Sequence, residues 1–176
     1  MSMATVVLDN PPPREIQELI ERRRISGVDQ RDEVWEGVLH MAPAPTGPHA
    51  YLGQQLAVLL GVPARTAGLV AAIQPFNLGE SAEDYRVPDG ALHRAIPREL
   101  WFPTAALVVE IVSPGDESWQ KLPFYAAHNV DEVLIVDPAE RTVHWLGLAG
   151  GEYRELQRSG LIDLGPAELA QRIDWP

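Results

Sequence analysis

The chain contains no cysteine, which excludes a disulfide framework, a thiolate zinc site and a cysteine nucleophile. That fits a reducing cytoplasm, the compartment expected here. Nowhere do about eighteen apolar residues run together without charge, the length a membrane span requires. The opening MSMATVVLDNPPPRE has no basic flank leading into an apolar stretch, so a soluble, unexported protein with no membrane partner is expected. Positive charge is scarce as well: 14 Lys and Arg oppose 25 Asp and Glu, giving a net charge of −11. This balance works against the sequence-independent phosphate attraction on which most nucleic-acid binders rely. The only basic run, Arg22-Arg23-Arg24, reads as the solvated end of a helix. GVPARTAG lacks the lysine and hydroxyl residue of a phosphate-binding loop, and no G-x-S-x-G elbow occurs. His40, His93, His128 and His144 show no metal-ligand spacing, so zinc is not expected.

With 176 residues and 45% hydrophobic content, the chain can bury one substantial core, and a single domain over 1–176 is expected. Its 16 prolines are spread through turns and form no linker. After Pro11-Pro12-Pro13, Ile16, Leu19 and Ile20 fall at helical spacing, and the segment stops near Gly27. EVWEGVLHMA, residues 33–42, reads as a strand pair or bent strand around Gly37, and PAPTGP as a loop. Helical spacing returns from His49 to Leu60. LVAAIQPFNL, YRVPDGALH and ALVVEIVS then read as three strands. DESWQKLPFYAAHN predicts a third helix, with Asp116 or Ser118 as N-cap and Pro123 in the first turn. EVLIVDP, TVHWLGL and EYRELQ follow as strands. Trp101, Trp119, Trp145 and Trp175 read as core or interface residues. The expected class is α/β (α+β mixed): a mixed central sheet flanked by helices.

ALVVEIVS is nearly continuous in apolar residues, as in a strand buried on both faces, yet it contains Glu110. A buried carboxylate costs several kcal/mol, on the order of the desolvation penalty, unless it is paired or holds a metal. Asp89 becomes its neighbour if 85–92 pairs with 106–113. Two adjacent carboxylates stay charged together only with a cation between them, and such hard oxygen ligands suit Mg²⁺ or Mn²⁺. The bland alternative is an Asp in a Pro-Asp-Gly turn and a Glu paired with an arginine.

Of the 14 cationic side chains 13 are arginine, and Lys121 is the only lysine. An ammonium group can donate and recover a proton and act as a compact point charge, which a guanidinium cannot. Eleven residues after Glu110, Lys121 is placed to activate water or stabilise charge on phosphorus. Chance alone could also have left one lysine on the surface.

RVPDGALH followed by ALVVEIVSPGDESWQKLPFYAAHNVDEVLIVDP resembles the Uma-type restriction-endonuclease-like family of the PD-(D/E)XK superfamily. The family's pattern falls on Pro88-Asp89, Glu110, Ser113-Pro114, Lys121, Tyr125 and Asp137-Pro138. Upstream, its Glu, Gly, loop and His arrangement maps to Glu33, Gly37 and His49. The resemblance implies a restriction-endonuclease-like core, with Asp89, Glu110 and the Ile111 carbonyl as metal ligands and Lys121 near the nucleophilic water. Glu33, His49 and Tyr125 would play supporting roles. In the wider superfamily the lysine follows the Glu by two residues, a place held here by Val112. Gly90 stands where the family usually has a β-branched residue, and Asn129 where it ends the third helix with glycine.

The expectation is a metal-dependent endonuclease acting on nucleic acid, DNA in particular, as a homodimer, the symmetric arrangement common in enzymes that cut both strands. Two alternatives stay open: a catalytically silent nuclease-like domain that binds a partner or serves as a scaffold, and a sensor of acidic or metal ligands.

Overall fold

The computed structural model describes residues 6–8, 13–96, 98–115 and 117–176. Strand β1 (Val6–Leu8) precedes helix α1 (Arg14–Ser26). Glu15 in the first turn and Arg23 and Arg24 in the last complement the helix dipole. Gly27, at φ 70°, ends the helix by donating its N–H to Arg23 and Arg24 carbonyls. Strands β2 (Glu33–Trp35) and β3 (Val38–Met41) form a hairpin. Its two turn residues, Glu36 and Gly37, both have positive φ (50° and 86°), the left-handed pair that a tight hairpin demands.

Helix α2 (Gly47–Thr66) buries Leu52, Leu56, Leu60 and Ala64 at a four-residue spacing. It runs past Leu60, where the apolar pattern suggested an end, because Ala64 continues the buried stripe and carries the helix through Pro63. Then come β4 (Val70–Ala72), β5 (Asn77–Ser81), β6 (Asp84–Arg86), β7 (Gly90–His93), β8 (Trp101–Phe102) and β9 (Leu107–Ile111). A 3-10 turn (Ser118–Lys121) leads into α3 (Leu122–Ala127), followed by β10 (Glu132–Asp137), β11 (Thr142–Ala149), β12 (Glu152–Glu155) and α4 (Pro166–Arg172).

Among the described residues these strands make two six-stranded mixed sheets, in the orders β1-β3-β2-β6-β5-β8 and β12-β11-β10-β9-β7-β4. Two runs expected as single strands are each divided between the sheets. LVAAIQPFNL supplies β4 to one and β5 to the other, and YRVPDGALH supplies β6 and β7 in the same way. Pro75 and Pro88 lie at the divisions, where a residue without an N–H cannot continue a ladder.

Strand β9 is buried on both faces, and its neighbours β7 and β10 run antiparallel and parallel to it. Leu107, Val109 and Ile111 face a core formed with α2, Leu134, Trp145 and Leu169 of α4. Val108 faces the opposite core, with Phe124 and Tyr125 of α3, Ile135 and Leu78. By the two-residue alternation of strands, Glu110 points to the α3 side. The expected third helix is present with Pro123 in its first turn. Ser118 is not its cap: Glu117 holds the N-cap position of the 3-10 turn and makes no side-chain cap bond there. Asp116 lies outside the described residues. Asn129, at φ 53°, follows α3 in the left-handed conformation.

Trp145 is fully buried and Trp101 and Trp175 partly so, whereas Trp119 is 45% exposed and is not a core residue. Arg23 departs from the solvated reading of its run, since it pairs with buried Asp32 and donates to the Ala42 carbonyl. No helix among the described residues is long and apolar enough to cross a membrane.

Candidate active site

Strand β7 pairs with β9 in the register Gly90↔Val109. Extending that register by one residue, strand alternation sets Asp89 across from Glu110, where the chain passes from one sheet to the other. Both border a cavity of about 110 Å³, together with Glu33 from β2, His49 from α2 and Lys121 from the 3-10 turn. Residues 42–46, 113–115, Glu117 and Ser118 form its walls. Residues from both sheets and two helical elements therefore converge on one place.

Asp89 is 9% exposed and held from three sides. Arg31 Nη1 donates to Oδ1 at 2.7 Å, His49 Nε2 to the same oxygen at 2.8 Å, and the Ile111 amide to Oδ2 at 2.8 Å. The other His49 nitrogen lies 3.2 Å from Ser113 Oγ. Burial acts to raise the Asp89 pKa, but the His49 bond and charge, Arg31 and the Ile111 amide outweigh it and hold the carboxyl below its ordinary range.

Glu110, 3% exposed, sits in a different field. The Tyr125 hydroxyl donates to Oε1, and Lys121 Nζ approaches the same oxygen at 3.1 Å. Burial pushes the Glu110 pKa up to about 8, against the lowering effect of Lys121 and with further upward pressure from Asp89 and Glu33. Lys121 Nζ also meets Glu33 Oε1 at 2.8 Å. Burial alone would lower the lysine pKa, yet Glu110, Glu33 and Asp89 together raise it, so the ammonium is charged across the physiological range. Burial, followed by the charges of Glu110 and Glu33, lifts the Tyr125 hydroxyl well above its ordinary value, which keeps it a donor.

Glu33 is itself fixed by the Val87 amide at 2.8 Å and Trp35 Nε1 at 2.7 Å. The six side chains singled out in the sequence thus form two bonded groups, Glu33–Lys121–Glu110–Tyr125 and His49–Asp89, brought side by side where Asp89 accepts the amide of Ile111, the residue after Glu110. Sequence reasoning missed Arg31, as well as His40 and Glu117, which bond each other at 2.9 Å beside the cavity. No spacing marks these three, because each joins the site only through tertiary contact.

Glu110 is not the only buried carboxylate: Asp32, Glu33, Asp89 and Glu132 are buried too. Glu132 shows what a structural one looks like, since Trp145 Nε1 (2.7 Å), Ser159 Oγ (2.6 Å) and the Gly160 amide (2.6 Å) are neutral donors around it. Glu33, Asp89 and Glu110 instead crowd together around cations.

Among the described residues no group of three or more His, Cys, Asp or Glu side chains is arranged to hold a metal ion. The side chains that could ligate one are Asp89 and Glu110. A pair of carboxylates fits a hard cation of the Mg²⁺ type, which commonly takes one or two protein carboxylates and fills its shell with water and phosphate.

No curated protein matches the chain. Among solved structures it is similar to a DUF820 protein of Anabaena variabilis ATCC 29413, titled a putative nuclease, with 18% identity and a TM-score of 0.62. The match covers 80% of this chain and 90% of that one, and it shows a shared fold. A family profile described as Uma2, putative restriction endonuclease, matches residues 16–171. With that profile spanning β2 to β12 and every residue of the cluster, the chain belongs to the Uma2 family.

Proposed function

We propose that this protein is a metal-dependent endonuclease that hydrolyses phosphodiester bonds in nucleic acid, DNA foremost. The observation that carries the reading is the position of the sole lysine: largely enclosed, charged and wedged between Glu33 and Glu110. Asp89 and Glu110 would hold Mg²⁺ or Mn²⁺ with the Ile111 carbonyl. When bound, such a cation polarises the phosphoryl group and lowers the pKa of water.

The chain's own residues do the rest. Arg31, His49 and the Ile111 amide orient Asp89 and keep it ionised at neutral pH. Tyr125 and Lys121 fix Glu110 by its Oε1. Lys121 presents a point charge beside the attacking water and the phosphoryl oxygens, where donors aimed at developing charge act most strongly.

A second reading, a nuclease-like domain that binds without cutting, has one observation in its favour. Arg31 and His49 both bond Asp89 Oδ1, so the protein itself supplies partners for that carboxylate. Mn²⁺-dependent cleavage of plasmid and single-stranded DNA at low salt tests the first reading, together with a thermal shift in Mn²⁺. Both effects are expected in the wild type and both should vanish in Asp89→Ala, Glu110→Ala. A wild type that neither cuts nor shifts would leave the binding reading.

A further inference from the structure

Arg86 lies at the end of β6, outside the cavity lining, and is 5% exposed. Its Nη1 reaches the Val34 carbonyl at 3.0 Å, the Tyr85 carbonyl at 3.1 Å and Asp84 Oδ1 at 2.9 Å, while Nε is buried with no partner. The guanidinium carbon stands 4.4 Å from the Trp35 ring centroid and 4.0 Å from that of Phe124. One flat cation is therefore layered between a ring from β2 and a ring from α3.

Both rings lead to the cluster. Trp35 holds Glu33 through its Nε1 at 2.7 Å, which leaves Oε1 to receive Lys121. It also stacks on His40 at 4.3 Å, and His40 holds Glu117 on the cavity wall. Phe124 is three residues beyond Lys121 and adjoins Tyr125, the donor to Glu110. A buried guanidinium with an unsatisfied N–H is costly, and a methionine or leucine would fill the same volume without that cost. A planar cation attracts two ring faces at once electrostatically, which leucine cannot do and a thioether does only weakly.

We propose that Arg86 is a positioning residue for Lys121. By clamping Trp35 and Phe124 it ties β2 to α3 and so sets Nζ between Glu33 and Glu110. Its effect on cleavage rests on the nuclease reading, whereas its effect on the lysine does not.

The sole lysine makes the test direct. Labelling with ¹⁵N-lysine yields a single side-chain ammonium resonance, recorded on the metal-free protein. In the wild type this resonance is expected to persist in slow exchange with water, as an ammonium ion-paired on two sides and only 12% exposed. Arg86→Met, which adds no second lysine, and Trp35→Phe, which retains a ring but cuts the bond to Glu33, should both shift it and speed its exchange. Both should also lower Mn²⁺-dependent cleavage by about 10- to 100-fold, the usual size for residues that support a metal site from behind. Ile173→Val, in the core on the α2 side of β9, controls for general loss of stability and should move neither.

An Nζ resonance unchanged in Arg86→Met overturns the proposal. If that variant does not fold, an unchanged resonance in Trp35→Phe overturns it, and so does a wild type with no slowly exchanging signal. Should the wild type fail to cut DNA, the nuclease reading falls while the Nζ comparison still decides the role of Arg86.

Discussion

Lys121 and Glu110 share one oxygen contact at 3.1 Å and little solvent, and their chemistry is open to single substitutions. Lys121→Arg should fail nearly as badly as Lys121→Ala, losing about 100- to 1,000-fold in cleavage rate, because the bulkier planar fork cannot act as a point charge there. The Mn²⁺ thermal shift should survive both changes. Wild-type cleavage by the arginine variant would remove the lysine from the chemistry. Glu110 predicts a pH effect of definite sign. Its pKa is raised from an ordinary 4.5 to about 8 in the folded, metal-free protein, so the folded state holds the proton more tightly than the unfolded one. The stability it contributes is full below about pH 4.5 and is lost progressively as pH rises through about 8. Urea unfolding in chelator should show this decline, and Glu110→Gln should flatten it. Tyr125 lowers the Glu110 pKa by its hydrogen bond. Tyr125→Phe is therefore expected to move the pH midpoint of Mn²⁺ binding upward, and a midpoint that stays or falls would contradict the role given to Tyr125.

At the scale of elements, the decisive feature is the short passage 87–89, where the chain leaves β6 in one sheet and enters β7 in the other. Pro88 ends one ladder and Asp89 opens toward Glu110. Gly90 is then pressed against the residue that follows β4: a Cβ at this position would meet Ile73 Cα at 2.6 Å and its Cδ1 at 3.0 Å. The close approach of Ile73 accounts for glycine where the family usually carries a β-branched residue. Gly90→Val should cost about 1–3 kcal/mol, as overpacked cores do, and urea denaturation will measure it. A neutral result would mean that β4 yields easily and that Asp89 is less rigidly placed than its three bonds suggest. Asn129 shows the converse case. Its φ of 53° is the left-handed helix end that asparagine tolerates, so the family's glycine is dispensable there.

Across the whole molecule, acidity is the dominant property, with a net charge of −11. Several arginines are spent on internal pairs: Arg23 on Asp32, Arg31 on Asp89, Arg86 on Asp84, Arg158 on Asp163 and Arg172 on Glu168. DNA binding should accordingly show a shallower salt dependence than that of proteins making about 6–10 phosphate contacts. A filter-binding or anisotropy series over salt in Ca²⁺ checks this, and a steep slope would point to a basic surface that the pairing conceals. Much of this was legible from the chain alone. The doubly buried strand that carries Glu110, the strand pair or bend around Gly37, the stop at Gly27, the third helix and the single lysine follow from local sterics, periodicity and composition, which act over a few residues. The separation of two apolar runs between two sheets was not legible, because a strand carries no local mark of which ladder it joins. Helix α4 and strand β8 likewise passed unread, each being too short for periodicity to register. Arg31, His40, Glu117 and Arg86 entered the site only through contacts made across tens of residues. Residue types near the chemistry were thus determined by sequence, while the cations and rings that hold them in place were decided by tertiary structure, since a contact distant along the chain exists only once the chain has folded.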